Sequence, residues 1–225
     1  MTIEQVHYAV KLKLNRLDSN AFRQLLVPEI DVKINEAQLL YIKNAAATLM
    51  DNGLGMESNQ RLRDDLRTLV KKDDITVTNL VAALPSDYLF FIRAYASQKK
   101  GSCTRNSRVW IVQQDDLNQE DYFSTPSFEW EEVNGYITSQ GIELEADGTV
   151  NSIQLTYVRK PAYAHYADGF GGYILPGVGA LSGKQELELP EHTHDNIVDL
   201  TVAMISGEMG LPSYPANMNK LKLTQ

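Results

Sequence analysis

The hydrophobic pattern of this 225-residue chain changes its period near residue 73, and that change restricts the fold more than any other feature. Before residue 73, apolar residues recur every three or four positions, as in an amphipathic helix. The clearest set is Ile30, Ile34, Ala37, Leu40, Tyr41 and Ala45. After it, Ile75, Val77 and Leu80 alternate with polar residues, as in a half-buried strand. Helices followed by strands predict an α+β protein.

The first block, residues 1–72, is predicted to be helical. A helix is predicted over residues 3–18 with Thr2 as its N-cap, although alternating apolar residues there also permit a strand. A second helix is expected from Pro28, a favoured first helical residue, to about residue 49. A third is expected over residues 58–69, ending near Lys71-Lys72.

The middle of the chain, residues 73–165, is predicted to form an antiparallel sheet. Strands are expected at residues 75–80, 88–92, 108–113, 128–133, 136–137, 142–145 and 150–158. Turn signals occur at Gly101-Ser102 and Asn106-Ser107. Asn134-Gly135 and Asp147-Gly148 suit tight two-residue hairpins, which connect antiparallel strands.

Three segments complete the predicted organisation. Residues 166–188 form a glycine-rich arm, because residues 168–183 hold six of the fourteen glycines and are expected to be mobile. Residues 189–210 form a C-terminal helix that starts at Pro190 and ends at Gly207 and Gly210. Residues 211–225 contain two prolines and are interpreted as a tail.

Charge is distributed unevenly along the chain, whose net charge is −8. Residues 93–108 carry five bases and no acid, and residues 115–147 carry ten acids and no base. Both can be solvated faces, or the basic segment of one copy can meet the acidic segment of the next. The second interpretation, extended to the arm, makes these residues candidate inter-subunit contacts: Arg93, Lys99, Lys100, Arg105, Arg108, Asp115, Asp116, Glu131, Glu132, Phe170 and Tyr173. The acidic net charge argues against sequence-specific nucleic-acid binding.

A search for catalytic and metal-binding motifs yields no predicted catalytic, cofactor or metal residue. His192 and His194 are close in sequence, but positions two apart near a helix start point in different directions. Cys103 lies in a polar turn without a nearby histidine, and the glycine-rich segment lacks the spacing of a phosphate loop. The chain is therefore predicted not to be an enzyme and to need no cofactor.

Two alternatives stay open at this point. Glu143 with Glu145, or Asp115 with Asp116, would serve a small glycan-active hydrolase as a carboxylate pair. The second alternative is a β-rich ligand-binding module that uses Tyr and Trp side chains, such as Trp110 and Trp130, as stacking platforms.

Two compositional features bear on the cellular environment. The first 18 residues carry charges throughout, and no run of 18 apolar residues occurs, so neither a cleaved secretory signal nor a membrane span is expected. The single cysteine, Cys103, predicts no intrachain disulfide.

A set of short motifs follows a fixed order along most of the chain, from Ile3 to Met209. The motifs are Glu29-Ile30, then residues 34–38, 84–89, 112–117, 126–128, 155–161, 189–191 and 197–202. This order resembles structural proteins of tailed bacteriophages, in particular the neck or connector ring proteins of crAss-like phages. The glycine-rich residues 168–183 have no counterpart in that pattern.

The resemblance implies a virion protein that is assembled in the host cytoplasm and forms a homo-oligomeric ring, twelve-fold, in the head-to-tail connector. Its partners would be the portal and other neck or tail proteins, with DNA passing through the lumen and no membrane involved. The family has no catalytic residues to transfer. The motifs would instead serve packing and turns, with Tyr157 and Val158 on a core strand, Pro161 ending it and Pro190 starting the last helix.

Overall fold

The protein, described here from a computed structural model, contains both helices and strands, which confirms the predicted mixed α+β class. The structure describes residues 1–15, 25–51, 64–112 and 126–210. The chain divides into two compact units. One is formed by Met1–Leu69 with Pro161–Gln225, and the other by Val70–Lys160. The second unit is thus inserted between the two sequence segments of the first.

The described part of the first unit contains the long α-helices α1 (Ile3–Asn15), α2 (Val27–Asp51) and α3 (His194–Glu208). The helix prediction for the N-terminus is confirmed, and Thr2 caps α1 by accepting the Gln5 N–H at 3.3 Å. Helices α1 and α2 both pack against α3. The buried side chains between them are Ile3, Val6, Val10, Leu14, Ile30, Ile34, Ile197, Val198 and Ile205. Short 3₁₀ helices lie at Arg67–Leu69 and Glu191–Thr193.

The second unit is a closed seven-stranded barrel in the order β1-β2-β6-β5-β4-β3-β7, with β7 pairing back to β1. Its strands are β1 (Val70–Thr78), β2 (Val81–Ala82), β3 (Tyr88–Lys100), β4 (Cys103–Ile111), β5 (Glu132–Ile137), β6 (Ile142–Glu145) and β7 (Thr149–Arg159). The prediction of a wholly antiparallel sheet is wrong at one pair, β4–β5, which is parallel. The other pairs are antiparallel. Inward side chains such as Ile153, Leu155 and Tyr157 fill the interior.

The predicted hairpin turn at Asn134-Gly135 is wrong, since both residues lie within β5. A Cβ on Gly135 would stand 2.9 Å from Val109 Cγ1 and 3.3 Å from Ile142 Cγ2, so this glycine serves close packing inside the barrel. The turn follows three residues later, where the Thr138 N–H donates to the Gly141 carbonyl. Asp147-Gly148 does lie between β6 and β7, but these strands are not paired with each other.

Several predicted boundaries also shift. The first strand begins at Val70, so Lys71 and Lys72 belong to β1 and do not end a helix. Leu80 is not in a strand: it forms the tight β1–β2 turn with Asn79, at φ angles of 61° and 52°. The expected strand at 128–133 begins only at Glu132, and Asn106-Ser107 lies within β4 while Gly101-Ser102 makes the turn.

The glycine-rich segment contains regular structure that the sequence did not predict. Strand β8 (His165–Tyr166) pairs with β11 (Lys184–Gln185), and β9 (Tyr173–Leu175) forms a hairpin with β10 (Gly179–Leu181). A 3₁₀ helix, Ala167–Phe170, connects β8 to the hairpin. The predicted tail at 211–225 and the acidic residues Asp115 and Asp116 lie outside the described residues.

Candidate functional site

The five bases of residues 93–108 all lie on one antiparallel hairpin of the barrel. Arg93, Lys99 and Lys100 are on β3, and Arg105 and Arg108 are on β4. All five are exposed. The hairpin therefore concentrates the positive charge that the sequence showed as a linear run.

Two of these bases pair with the acidic segment of the same molecule. Lys100 Nζ lies 2.6 Å from Asp147 Oδ2 and 3.9 Å from Glu129 Oε1. Arg105 Nη1 donates to the Glu129 carbonyl at 3.1 Å and lies 3.8 Å from Glu131 Oε1. The Asp147 hydrogen bond raises the pKa of Lys100, and the same bond lowers the pKa of Asp147. The sequence hypothesis expected the basic segment of one copy to pair with the acidic segment of the next. Lys100 and Arg105 instead form such pairs within one molecule.

Arg108 lies over an aromatic ring. Its guanidinium carbon is 3.9 Å from the centre of the Trp110 ring, a close cation–π contact. Glu132 is its register partner on β5 and is exposed. One face of Trp110 is therefore covered by its own chain.

A second tryptophan is held out from the barrel by a tight turn. Trp130 has 79% of its surface exposed. The turn is closed by the Glu131 N–H donating to the Phe128 carbonyl at 3.3 Å, and Glu131 adopts φ 57°, an uncommon conformation for a side-chain-bearing residue. The Glu131 carbonyl accepts the Arg108 N–H at 2.8 Å, which ties the turn to β4. We call residues 128–131 the Trp130 turn.

Three apolar side chains of the glycine-rich segment are exposed. Ile174 is 80% exposed, and Phe170 and Val178 are about half exposed. We call these three residues the hairpin patch. Tyr173, the other aromatic candidate, behaves differently: it contacts the Phe170 ring edge-on and donates its hydroxyl to Asp31 Oδ2 at 2.6 Å. Phe170 thus remains a candidate contact, whereas Tyr173 serves as an anchor.

Asp31 holds the start of this segment to α2. Its carboxylate is fully buried and accepts hydrogen bonds from His7 Nε2 at 2.7 Å, the Tyr166 N–H at 3.2 Å and the Tyr173 hydroxyl. Burial and this hydrogen bond raise the pKa of Tyr173. One turn further along α2, the Asn35 side chain bonds the Ala164 N–H and carbonyl. The sequence analysis missed this cluster, although polar residues at positions 31, 35 and 38 of α2 form a stripe that signals it.

A second polar cluster lies at one end of the barrel. The Tyr157 hydroxyl lies 3.0 Å from Asp73 Oδ2 and 2.8 Å from Asp87 Oδ1. Lys71 Nζ bridges the same carboxylates at 2.9 and 3.4 Å. Burial and the bonds to Asp87 and Asp73 raise the pKa of Tyr157 to about 12. The hydrogen bond from Lys71 lowers the pKa of Asp73.

The two histidines of the sequence search are not brought together. His192 Nε2 lies 2.6 Å from Asp65 Oδ1, whereas His194 Nε2 donates to the Leu189 carbonyl, so the two histidines have separate partners. Glu143 and Glu145 both lie on the outer face of β6, with Glu143 bonded to Tyr136. Within the described ranges, no three His, Cys, Asp or Glu side chains are grouped as a metal site requires.

A comparison of the sequence with models of known protein families and with curated proteins finds no match. Among the helices that the structure describes, none is long and apolar enough to cross a membrane.

Proposed function

We propose that this chain is a non-enzymatic structural protein of a tailed bacteriophage virion, assembled in the host cytoplasm into a twelve-fold ring of the head-to-tail connector. In this role it joins the portal to the tail and lines the path of the DNA. The proposal rests on the order of sequence motifs and on one structural observation. That observation is a pair of exposed apolar side chains in unlike surroundings, Trp130 in the Trp130 turn and Ile174 in the hairpin patch.

Unlike surfaces are what a ring requires. A head-to-tail interface joins two different patches and closes into a ring when the rotation is right, whereas a two-fold dimer uses one patch twice. Trp130 and Ile174 each expose about four fifths of their surface. Burying such a side chain contributes about 1.5–3 kcal/mol, so two of them per interface are substantial contributions to assembly. We infer that the Trp130 turn of one copy docks onto the hairpin patch of the next.

The charges fit the edges of such an interface better than its centre. Lys100 and Arg105 are paired within the chain and Arg108 contacts the Trp110 ring, while Lys99 and Glu132 are exposed. Exposed charges around an apolar contact steer encounter and orient partners more than they add affinity. The net charge of −8 also suits a lumen that DNA crosses without being held, because DNA binding relies on basic groups that neutralise phosphates.

The test is the oligomeric state of the full chain, alone and mixed with a portal protein, by size-exclusion chromatography with light scattering and by negative-stain imaging. We expect rings or portal-bound rings for the wild type. Trp130→Ser and Ile174→Ser should each give monomers that remain folded. Tyr8→Ser is the matched control, because Tyr8 is 69% exposed on α1 and belongs to neither surface.

Mixing the two variants tests the head-to-tail pairing itself. A Trp130→Ser chain keeps its hairpin patch and an Ile174→Ser chain keeps its Trp130 turn, so the pair retains one intact interface and should form a heterodimer that cannot close. A mixture that stays monomeric contradicts this pairing. A wild type that is monomeric under all conditions and does not bind a portal contradicts the assembly role.

A further inference from the structure

The outer face of the barrel carries a groove that the assembly role does not use. It has a volume of about 390 Å³ and is lined by Asp74, Tyr95, Ser97, Asn106, Ser152 and Gln154. These residues come from four adjacent strands, β1, β7, β3 and β4. The volume is within the range of about 300–1,000 Å³ that is typical of small-molecule sites.

The strand register explains why a depression forms there. One row across the sheet places Asp74 opposite Gln154 and Gln154 opposite Tyr95. In the next row, Ser152 lies opposite Ser97, and Ser97 opposite Asn106. Two small serines, Ser152 and Ser97, therefore lie side by side next to a row of longer side chains. Because serine side chains extend less far from the sheet than those neighbours, a groove forms above them.

The lining contains several side-chain donors and acceptors that can still form hydrogen bonds with a ligand. Gln154 Nε2 donates to Asp74 Oδ1 at 3.1 Å, which fixes both side chains at one edge. Within the described part of the chain, the hydroxyls of Ser97 and Ser152 and the amide of Asn106 make no side-chain hydrogen bond. Tyr95 is 40% exposed and adds an aromatic surface beside these groups. A ligand would thus meet the fixed Asp74–Gln154 pair, together with hydroxyl and amide groups that have no other side-chain partner among the described residues, next to a ring.

The geometry points to a binding site for a neutral saccharide. Vicinal sugar hydroxyls match a lining that mixes hydroxyl, amide and carboxylate groups, and the apolar face of a sugar ring can lie on Tyr95. The Asp74 carboxylate accepts from hydroxyls but repels phosphate, which disfavours a nucleic acid in the same groove. Tyr95 is the platform here, because it belongs to the lining of the groove, which does not include Trp110. Since the site lies on one barrel, it does not depend on ring formation.

The test is binding of the full chain to a panel of immobilised neutral oligosaccharides, followed by titration with the best binder. Tyr95→Ala and Asn106→Ala should each weaken binding by about tenfold, the effect of losing one stacking or hydrogen-bonding contact. Thr104→Ala is the matched control, because Thr104 is exposed two residues before Asn106 on β4 and lies outside the lining. It should retain wild-type affinity, and all variants should keep the wild-type unfolding midpoint.

Two results would overturn the inference. One is the absence of binding to every oligosaccharide at millimolar concentration. The other is binding of a single-stranded DNA oligonucleotide at this face. Phosphate recognition would show itself as an affinity that decreases steeply with salt concentration and is lost in Arg93→Ala or Lys99→Ala. Trp130→Ser and Ile174→Ser should leave saccharide affinity per chain unchanged, so a failure of assembly and a failure of this site are distinguishable.

Discussion

The helical unit and the barrel differ in how deeply their clusters of hydrogen-bonded polar side chains are buried. In the helical unit, the fully buried Asp31 accepts bonds from three separate parts of the chain. In the barrel, Asp73 and Asp87 are partly exposed at one end and share Lys71 and Tyr157. Backbone hydrogen bonds between neighbouring strands close the barrel, so the barrel does not need its polar cluster in order to close. The glycine-rich segment has short strands only, and the side chains of Asp31 and Asn35 on α2 add hydrogen bonds that hold its start.

The largest effect should come from Asp31→Ala. The substitution leaves His7 Nε2, the Tyr166 N–H and the Tyr173 hydroxyl without their acceptor in a buried place. Removing one partner from a buried charged network costs about 3–5 kcal/mol. We expect the helical unit to lose that much free energy of unfolding, and the amides of β8 to β10 to lose protection from hydrogen exchange.

Asp168→Ala is the control for this variant, because Asp168 lies in the same segment but is exposed. It should change neither the unfolding midpoint nor the exchange pattern. Equal loss of protection in the barrel amides of the Asp31 variant would contradict the assignment of Asp31 to the helical unit alone.

The next largest effect should come from Gly135→Ala in the barrel. The new methyl group would stand 2.9 Å from Val109 Cγ1, so the interior must shift, at a cost of about 1–3 kcal/mol. Chemical denaturation of the barrel measures this loss of free energy of unfolding. Gly101→Ala is the comparison: it has φ 61° and nothing within 4 Å, so only backbone strain of about 1 kcal/mol is expected. A Gly135 variant as stable as the Gly101 variant would argue against tight packing there.

The sequence predicts well those helices and strands in which the spacing of apolar residues along the element itself shows which face is buried. Helices α1, α2 and α3 have clear apolar stripes, and β7 combines a buried alternation with Pro161 just beyond its end. Asn134-Gly135 misled the prediction because a glycine required by side-chain packing has the same sequence signature as one required by a turn.

The sites were harder to predict than the elements. The intrachain pairs of Lys100 and Arg105 depend on the fold, because a run of charges does not say whether its partner lies in the same molecule. The Asp31 cluster joins residues 7, 31, 166 and 173, and the groove joins residues from β1, β3, β4 and β7. The polar stripe of α2 indicates that such a cluster exists, but its partners are set by strand register and helix docking, which no local pattern encodes.

A smaller effect is expected from Tyr157 at alkaline pH. Its pKa is raised from 10.0 to about 12 in the folded state, so the fold favours the protonated hydroxyl. That contribution to stability is fully present below pH 10 and is lost as the pH rises towards 12. Denaturation curves of the barrel should therefore show falling stability in this interval, with a shallower fall in Tyr157→Phe.

Other tyrosines titrate in the same range, so the difference between wild type and variant is the informative quantity. Tyr163, whose pKa is also raised to about 12 by burial, lies in the helical unit and supplies the control as Tyr163→Phe. An identical slope for the barrel in wild type and Tyr157→Phe would contradict the role of the Asp73 and Asp87 contacts.

The smallest effect should come from Lys100→Ala, and it bears directly on where the charged segments find their partners. The Lys100–Asp147 pair is exposed, and such pairs contribute little to stability because solvent screens them. We expect an unfolding midpoint within error of the wild type and an unchanged oligomeric state. Lys100→Glu should lower the midpoint measurably, since it places a third negative charge beside Asp147 and Glu129. If Lys100→Ala instead abolished assembly while leaving the monomer stable, the lysine would act between copies, and the intrachain pairing would be secondary to that contact.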